Sequence, residues 1–291
     1  MKTAHSDYGK IERILINTAA HAFISQKKID TEYARLNYLD RPIIDGALSE
    51  YRVFENIIAK AGAEVMKLPQ KDNTSIDAIY CRDASLATDF GIILCNMGKT
   101  DRNVEPENQR AFFQSQGVEI LGTIDAPGTV EGGDMCWLDE KTLAIGHTYR
   151  TNYSGIEQIK AFLEPKGIEV FVVELPHFRG PSDVFHLMSI ISPIDKDLAV
   201  VYSPLMPIYF REALLKRNYR LVECPEEEFD SMGCNVLALA PSHCLMVEGN
   251  PITQERLVSA GCKVETYNGD NISNLGCGGP TCLTRPLERI V

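Results

Sequence analysis

The apolar positions of this chain switch repeatedly between a helical and a strand period. In residues 45–62, "DGALSEYRVFENIIAKAG", Leu48, Val53, Ile57 and Ile58 fall near one helical face and a glycine closes the segment, which predicts a helix. A strand pattern, "AEVMKLP", follows at once. The same order recurs in "NQRAFFQSQG" then "VEILGTI", "IEQIKAFLEPKG" then "IEVFVVELP", "PIYFREALLKRNY" then "RLVECP", and "PITQERLVSAG" then "CKVETYN". Five helix-stop-strand units result, with Gly62, Gly117, Gly167, Asn218 and Gly261 at their stops. The stops recur at intervals of about 50 residues, the mark of a repeated supersecondary unit.

Further strand pairs lie between the units: "AIYCRDASLAT" with "FGIILCN", "GDMCWLD" with "TLAIGHT", "FHLMSIISPI" with "LAVVYS", and "NVLALA" with "HCLMVEG". Each unit thus carries about three strands and one helix, which argues for one closed, pseudo-fivefold α/β domain over residues 1–291. The competing architecture, a doubly wound parallel sheet, fits less well. Short turns such as that in "GDMCWLDEKTLAIGH" suit antiparallel hairpins, and no G-x-G-x-x-G follows the first strand.

Composition narrows the function. The chain is 44% apolar and 24% charged, as in an ordinary globular protein. No apolar run reaches membrane-spanning length and "MKTAHSDYGKIERILINTAA" lacks a secretory pattern, so a soluble, cytoplasmic protein without a membrane partner is expected. A net charge of −11 with no Lys/Arg block disfavours nucleic acid and anionic surfaces. Nine cysteines, an odd count scattered through apolar runs, read as reduced thiols. Cys277/Cys282 and His243-Cys244 lack zinc-ligand spacing, so no metal is expected.

Four stretches could carry chemistry. In "SIDAIYCRDAS", read as a strand, Asp77 and Asp83 share a face with Ile79 and Cys81 between them, and two such carboxylates suit a guanidinium. Turn-capping aspartates are the plainer reading. "APGTVEGGDMCWL" places Glu131 on a tight turn into a strand, where glycines would let a ligand approach the backbone; E-G-G-D also makes an adequate turn. "DVFHLMSIISPI" begins a strand run with His186, a residue that in such a setting is commonly a satisfied core histidine. In "GCGGPTC", Cys282 lies at the lip of a glycine turn, reachable by a substrate, though a reactive thiol needs partners from elsewhere in the fold.

Taken in this order, the two-aspartate segment, E-G-G-D, the H-L-x-S segment and the C-terminal G-G-P-T-C resemble the guanidine-modifying (amidinotransferase, or pentein) superfamily, and most of all its dimethylarginine dimethylaminohydrolases. The resemblance runs from "IERILINTA" to "GGPTCLTRPL". It implies a five-bladed α/β propeller, in agreement with the five units counted above. By motif, it implies Cys282 as nucleophile, His186 as general acid and base, Glu131 as the carboxylate that orients the histidine and holds the guanidinium, and Asp77 and Asp83 as the remaining guanidinium anchors. Arg102 in "GKTDRNVEPE" and Arg150 in "YRTNYSG" fall where the family binds a substrate carboxylate.

The implied activity is hydrolysis of a guanidino C–N bond in arginine or an N-methylated arginine, a small-molecule substrate, with no cofactor. Met188 and Ser189 after His186, and Asp77, match the dimethylaminohydrolases, whereas "CRD" and "GGPTC" are closer to the deiminases. Arginine deiminase or dihydrolase activity, amidino transfer and a non-catalytic binding protein of the same fold are the alternatives. A homo-oligomer is left open. Cys277 is read as a bystander.

Overall fold

The computed structural model describes residues 1–291 and contains five small sheets. Four repeat one pattern. In the second unit, Ser85–Thr88 pairs antiparallel with Gly91–Leu94, which passes through the helix Glu105–Ser115 into Ile120–Thr123, parallel beside it. The third unit runs Met135–Asp139, Thr142–His147, helix Tyr153–Leu163, Glu169–Glu174. The fourth runs Ile191–Asp195, Leu198–Val201, Ile208–Lys216, Arg220–Glu223, and the fifth Leu237–Ala240, His243–Val247, Pro251–Ser259, Lys263–Tyr267.

The first unit is assembled from both ends of the chain. Lys10–Ile16 leads through helix Ile44–Lys60 into Glu64–Lys67, but its antiparallel partner is Thr284–Ile290, with Lys2–Thr3 outside it. The sequence pattern did not show this C-terminal strand. A lone seven-residue segment after a glycine turn, interrupted by Pro286, has no repeat of its own to mark it.

Thr284–Ile290 touches Ser85–Thr88, Ile191–Asp195 touches Leu237–Ala240, and Leu237–Ala240 touches Lys10–Ile16, while turns link the second, third and fourth units. The five units therefore close into a ring with the first strand of each unit innermost. Burial follows: Met135–Asp139 is buried at four of five positions, whereas the outer Glu169–Glu174 alternates with exposed ends. The helix stops lie where the sequence puts them. Gly62, Gly117, Gly167, Asn218 and Gly261 all have positive φ, at 94°, 68°, 82°, 63° and 99°. Residues with a β-carbon lose roughly 1–2 kcal/mol in that region, and glycine and asparagine tolerate it best.

Two strand expectations fail. Residues 76–84 form consecutive 3-10 turns, Ile76–Ile79 and Cys81–Ala84, and the strand begins only at Ser85. Side chains replace the missing strand neighbour: Asn17 Nδ2 donates to Ala78 O (2.8 Å), Arg102 Nη2 to Tyr80 O (2.8 Å) and Gln109 Nε2 to Cys81 O (2.7 Å). Likewise His186 caps the 3-10 turn Leu187–Ser189, its N–H donating to Ser189 Oγ (3.2 Å), and the strand starts at Ile191. No helix is long and apolar enough to cross a membrane.

Ring closure yields a test. A chain ending at Leu283 leaves Lys10–Ile16 without its antiparallel neighbour, and the expected outcome is loss of a cooperative thermal transition by circular dichroism. A truncated chain that melts like the full one would contradict it.

Candidate active site

The segment entering each inner strand faces the ring axis, and each unit places a polar or small residue two positions before that strand. Asp83, Gly133, Ser189, Asn235 and Cys282 hold this position in the second to fifth and first units. A cavity of about 270 Å³ opens there, lined by Asp77, Asp83, Arg102, Arg150, His186 and Cys282 among others. Six of the seven residues singled out in the sequence thus share one wall, and Glu131, fully buried, lies directly behind His186.

The E-G-G-D turn organises this wall. Glu131 Oε2 is 2.8 Å from His186 Nε2, Gly133 N–H donates to Asp83 Oδ1 (2.9 Å), and Asp134 Oδ1 accepts from Leu187 N–H (3.0 Å). Asp134 also accepts from Thr148 Oγ1 (2.7 Å). A β-carbon on Gly133 would collide with His186 Nδ1. The glycine therefore makes room for the histidine itself, and not, as the sequence suggested, for an approaching ligand.

The charges are closely matched. Glu131 also accepts from Lys99 N–H (2.9 Å) and from Arg150 Nη1 (3.2 Å to each oxygen). Burial alone would raise its pKa, but the hydrogen bond from His186 and the Arg150 charge hold it well below the usual carboxylate range. Burial likewise opposes the imidazolium of His186, yet Asp134, Glu131 and Asp83 outweigh it and push the group up to about 9. Asp134 is driven up to about 6 by burial, against the pull of His186 and its hydrogen-bond donors.

Arg102 is fully engaged. Its Nη1 contacts Asp83 (2.6 Å), its Nε and Nη2 grip Glu105 (2.8 Å each), and Nη2 also reaches Tyr80 O. Asp77 pairs with Lys99 Nζ at 2.6 Å. Asp83, Glu131 and His186 offer ligand atoms within 4.8 Å of one another, a spacing a metal ion could use. Arg102, Arg150 and backbone N–H groups already take those carboxylate oxygens, so the cluster is neutralised by the protein's own cations.

Cys282 is half-buried at the end of the glycine turn. Asn235 fixes it: Oδ1 accepts from Thr281 N–H (3.1 Å) and Oγ1 (2.9 Å), and Nδ2 donates to Cys282 Sγ at 3.5 Å. Gly278 is needed because a β-carbon there would strike the Tyr80 ring. Burial, then the Asp83 charge, raise the thiol pKa, while Thr281, Arg82 and Asn235 oppose the rise. Cys277, also on the cavity wall, is pushed up to about 11 by burial.

Asp134, Lys99 and Asn235 were missed in the sequence. The first two sat inside motifs already noted, and only the repeat register, two before an inner strand, could have marked Asn235.

The family profile for N,N dimethylarginine dimethylhydrolases of eukaryotic type matches residues 14–289. The chain belongs to this family. It is therefore a hydrolase acting on C–N bonds in linear amidines. It is 25% identical over 260 residues to the N(G),N(G)-dimethylarginine dimethylaminohydrolase of Streptomyces coelicolor, covering 88% of this chain and 92% of that one. It is 27% identical over 317 residues to the arginine deiminase of Mycoplasma capricolum, covering 92% and 76%. The fold matches that of the dimethylarginine dimethylaminohydrolase of Pseudomonas aeruginosa, a cysteine-to-serine mutant complexed with citrulline, with a TM-score of 0.78 at 23% identity over 94% of this chain and 98% of that one. The five-bladed pentein architecture read from the repeats is thus the fold of this chain.

The electrostatics are directly measurable. The His186 imidazolium should persist above pH 8 in an NMR titration and shift down toward 6.5 in Glu131→Gln. Because its folded pKa is raised from 6.5 to about 9, its contribution to stability is complete below about pH 6.5 and is lost as pH rises through 9. Denaturant melts should show that loss in the wild type and a flatter profile in Glu131→Gln.

Proposed function

We propose that this chain is one catalytic domain, residues 1–291, that hydrolyses a guanidino C–N bond of arginine or an N-methylated arginine through a covalent intermediate on Cys282. One observation carries the reading: a thiol, an imidazolium backed by a buried carboxylate, and two carboxylates, Asp77 and Asp83, converge on a single cavity.

The guanidinium carbon is a weak electrophile because its charge is spread over three nitrogens. Asp77 and Asp83 bind that cation, and its charge beside Cys282 favours the thiolate that burial disfavours in the empty site. Sulfur attacks the guanidinium carbon and forms a tetrahedral adduct. The His186 imidazolium donates its proton to the departing amine as the C–N bond breaks, leaving an S-amidino intermediate. His186, now neutral, takes a proton from water, whose oxygen attacks the same carbon and expels the thiolate. The products are citrulline and an amine or ammonia.

Glu131 holds the imidazole in place and keeps it cationic until the proton leaves. Arg102 orders Asp83, and Arg150 matches the charge of Glu131. The nine cysteines, all free, support a reducing compartment, the cytoplasm.

Deimination of arginine is the second reading, favoured by the deiminase relative. A screen of arginine, monomethylarginine, dimethylarginine and agmatine, with and without an added amine acceptor, separates hydrolysis of each from amidino transfer by ureido product and released amine. Cys282→Ser should lower kcat by at least about 10³-fold on every substrate, and Cys277→Ser should change it by less than about twofold. Wild-type turnover in Cys282→Ser would refute the assignment.

A further inference from the structure

A guanidinium is positive and a ureido group is neutral, so the thiolate released in the second half of the proposed reaction no longer has beside it the cation that favoured it in the first. Burial and the Asp83 charge then both oppose it. His186 does not fill the gap. Its Nε2 faces Glu131 at 2.8 Å and its Nδ1 faces Asp83 at 4.0 Å, and neither ring nitrogen is hydrogen-bonded to Cys282.

Asn235 is the one side chain whose nitrogen reaches the sulfur. It lies two residues before the inner strand Leu237–Ala240, is 6% exposed, and sets Nδ2 3.5 Å from Cys282 Sγ. Its orientation is fixed. Thr281 N–H (3.1 Å) and Thr281 Oγ1 (2.9 Å) both donate to Oδ1, and an amide turned end for end would set its NH2 against those two donors. Asn235 N–H donates to Met232 O (3.0 Å), and the glycine turn closes directly on the amide, because a β-carbon on Gly279 would strike it. The donor is thus directed at sulfur by contacts that involve no substrate.

We infer that Asn235 is a catalytic residue whose Nδ2 N–H holds the Cys282 thiolate, above all when that thiolate is expelled from the S-amidino intermediate. The inference rests on the hydrolase reading of the cavity. In that step, water gives a proton to His186 and its oxygen bonds to the amidino carbon. The C–S bond then breaks with its electron pair on sulfur, and the O–H proton passes to solvent as the neutral ureido group forms. Negative charge appears on an atom with one N–H donor beside it, and a hydrogen bond to a charged acceptor is roughly twice as strong as one to a neutral acceptor. During attack the guanidinium shares this role, so loss of Asn235 slows the water half more than the first half.

Asn235→Leu, of nearly the same size but without a donor, and Asn235→Ala would be compared with the parent, all in the Cys277→Ser background. Two quantities are read: the pH dependence of iodoacetamide labelling of Cys282 without substrate, followed on its peptide, and the fraction of Cys282 carrying the amidino adduct when steady turnover is quenched in acid. Each variant should raise the labelling pKa by about one unit or more and lower kcat roughly 10- to 100-fold while the adduct fraction rises. A labelling pKa equal to the parent's, or a lower kcat with no rise in the adduct fraction, overturns the inference. A parent that turns over no guanidino compound refutes the hydrolase reading, and the labelling pKa still decides whether Asn235 holds the thiolate.

Discussion

A carboxylate sealed from water stays ionised only if its neighbours replace the solvent it has lost, and Glu131 is such a group. An unpaired buried charge would cost several kcal/mol. A backbone N–H, Arg150 and His186 all converge on its two oxygens. The cationic state of His186 follows, because the same carboxylate, with Asp134 and Asp83, offsets the burial that would otherwise discharge it. Gly133 follows as well, since only a missing side chain lets the imidazole lie against the turn. The pentein site is in this sense one electrostatic unit, held by a tetrapeptide that contacts three different units of the ring.

Fivefold repetition gives that unit its geometry. The residue two positions ahead of each inner strand lines the cavity in all five units. Those five positions carry Asp83, Gly133, Ser189, Asn235 and Cys282, while Asp77, Glu131 and His186 lie further ahead of their strands. The proposed nucleophile, Cys282, lies in the segment that leads into the ring-closing strand Thr284–Ile290.

Much of this was legible in the sequence, for identifiable reasons. The helix stops were visible because a left-handed residue between helix and strand demands glycine or asparagine, and all five proved to have positive φ. The family was visible because E-G-G-D, His186 and G-G-P-T-C are unusual together. Residues 76–84 were misread as a strand because period-two apolar spacing looks the same in two successive 3-10 turns whose carbonyls are met by Asn17, Arg102 and Gln109 from elsewhere. The ion pairs of Arg102 were hidden because nothing local shows that Glu105, three residues on, and Asp83 would take its donors. Long-range charge pairing is what a single sequence conceals.

The central claim, a covalent amidino intermediate on Cys282 formed beside an imidazolium, is tested most directly by rapid acid quench of the enzyme with substrate, followed by digestion and mass spectrometry. The account predicts a transient amidino adduct on Cys282, in the peptide that also contains Cys277, with fragmentation placing it on the second of the two thiols. Steady turnover with no adduct on any peptide, or an adduct placed on Cys277, would contradict it.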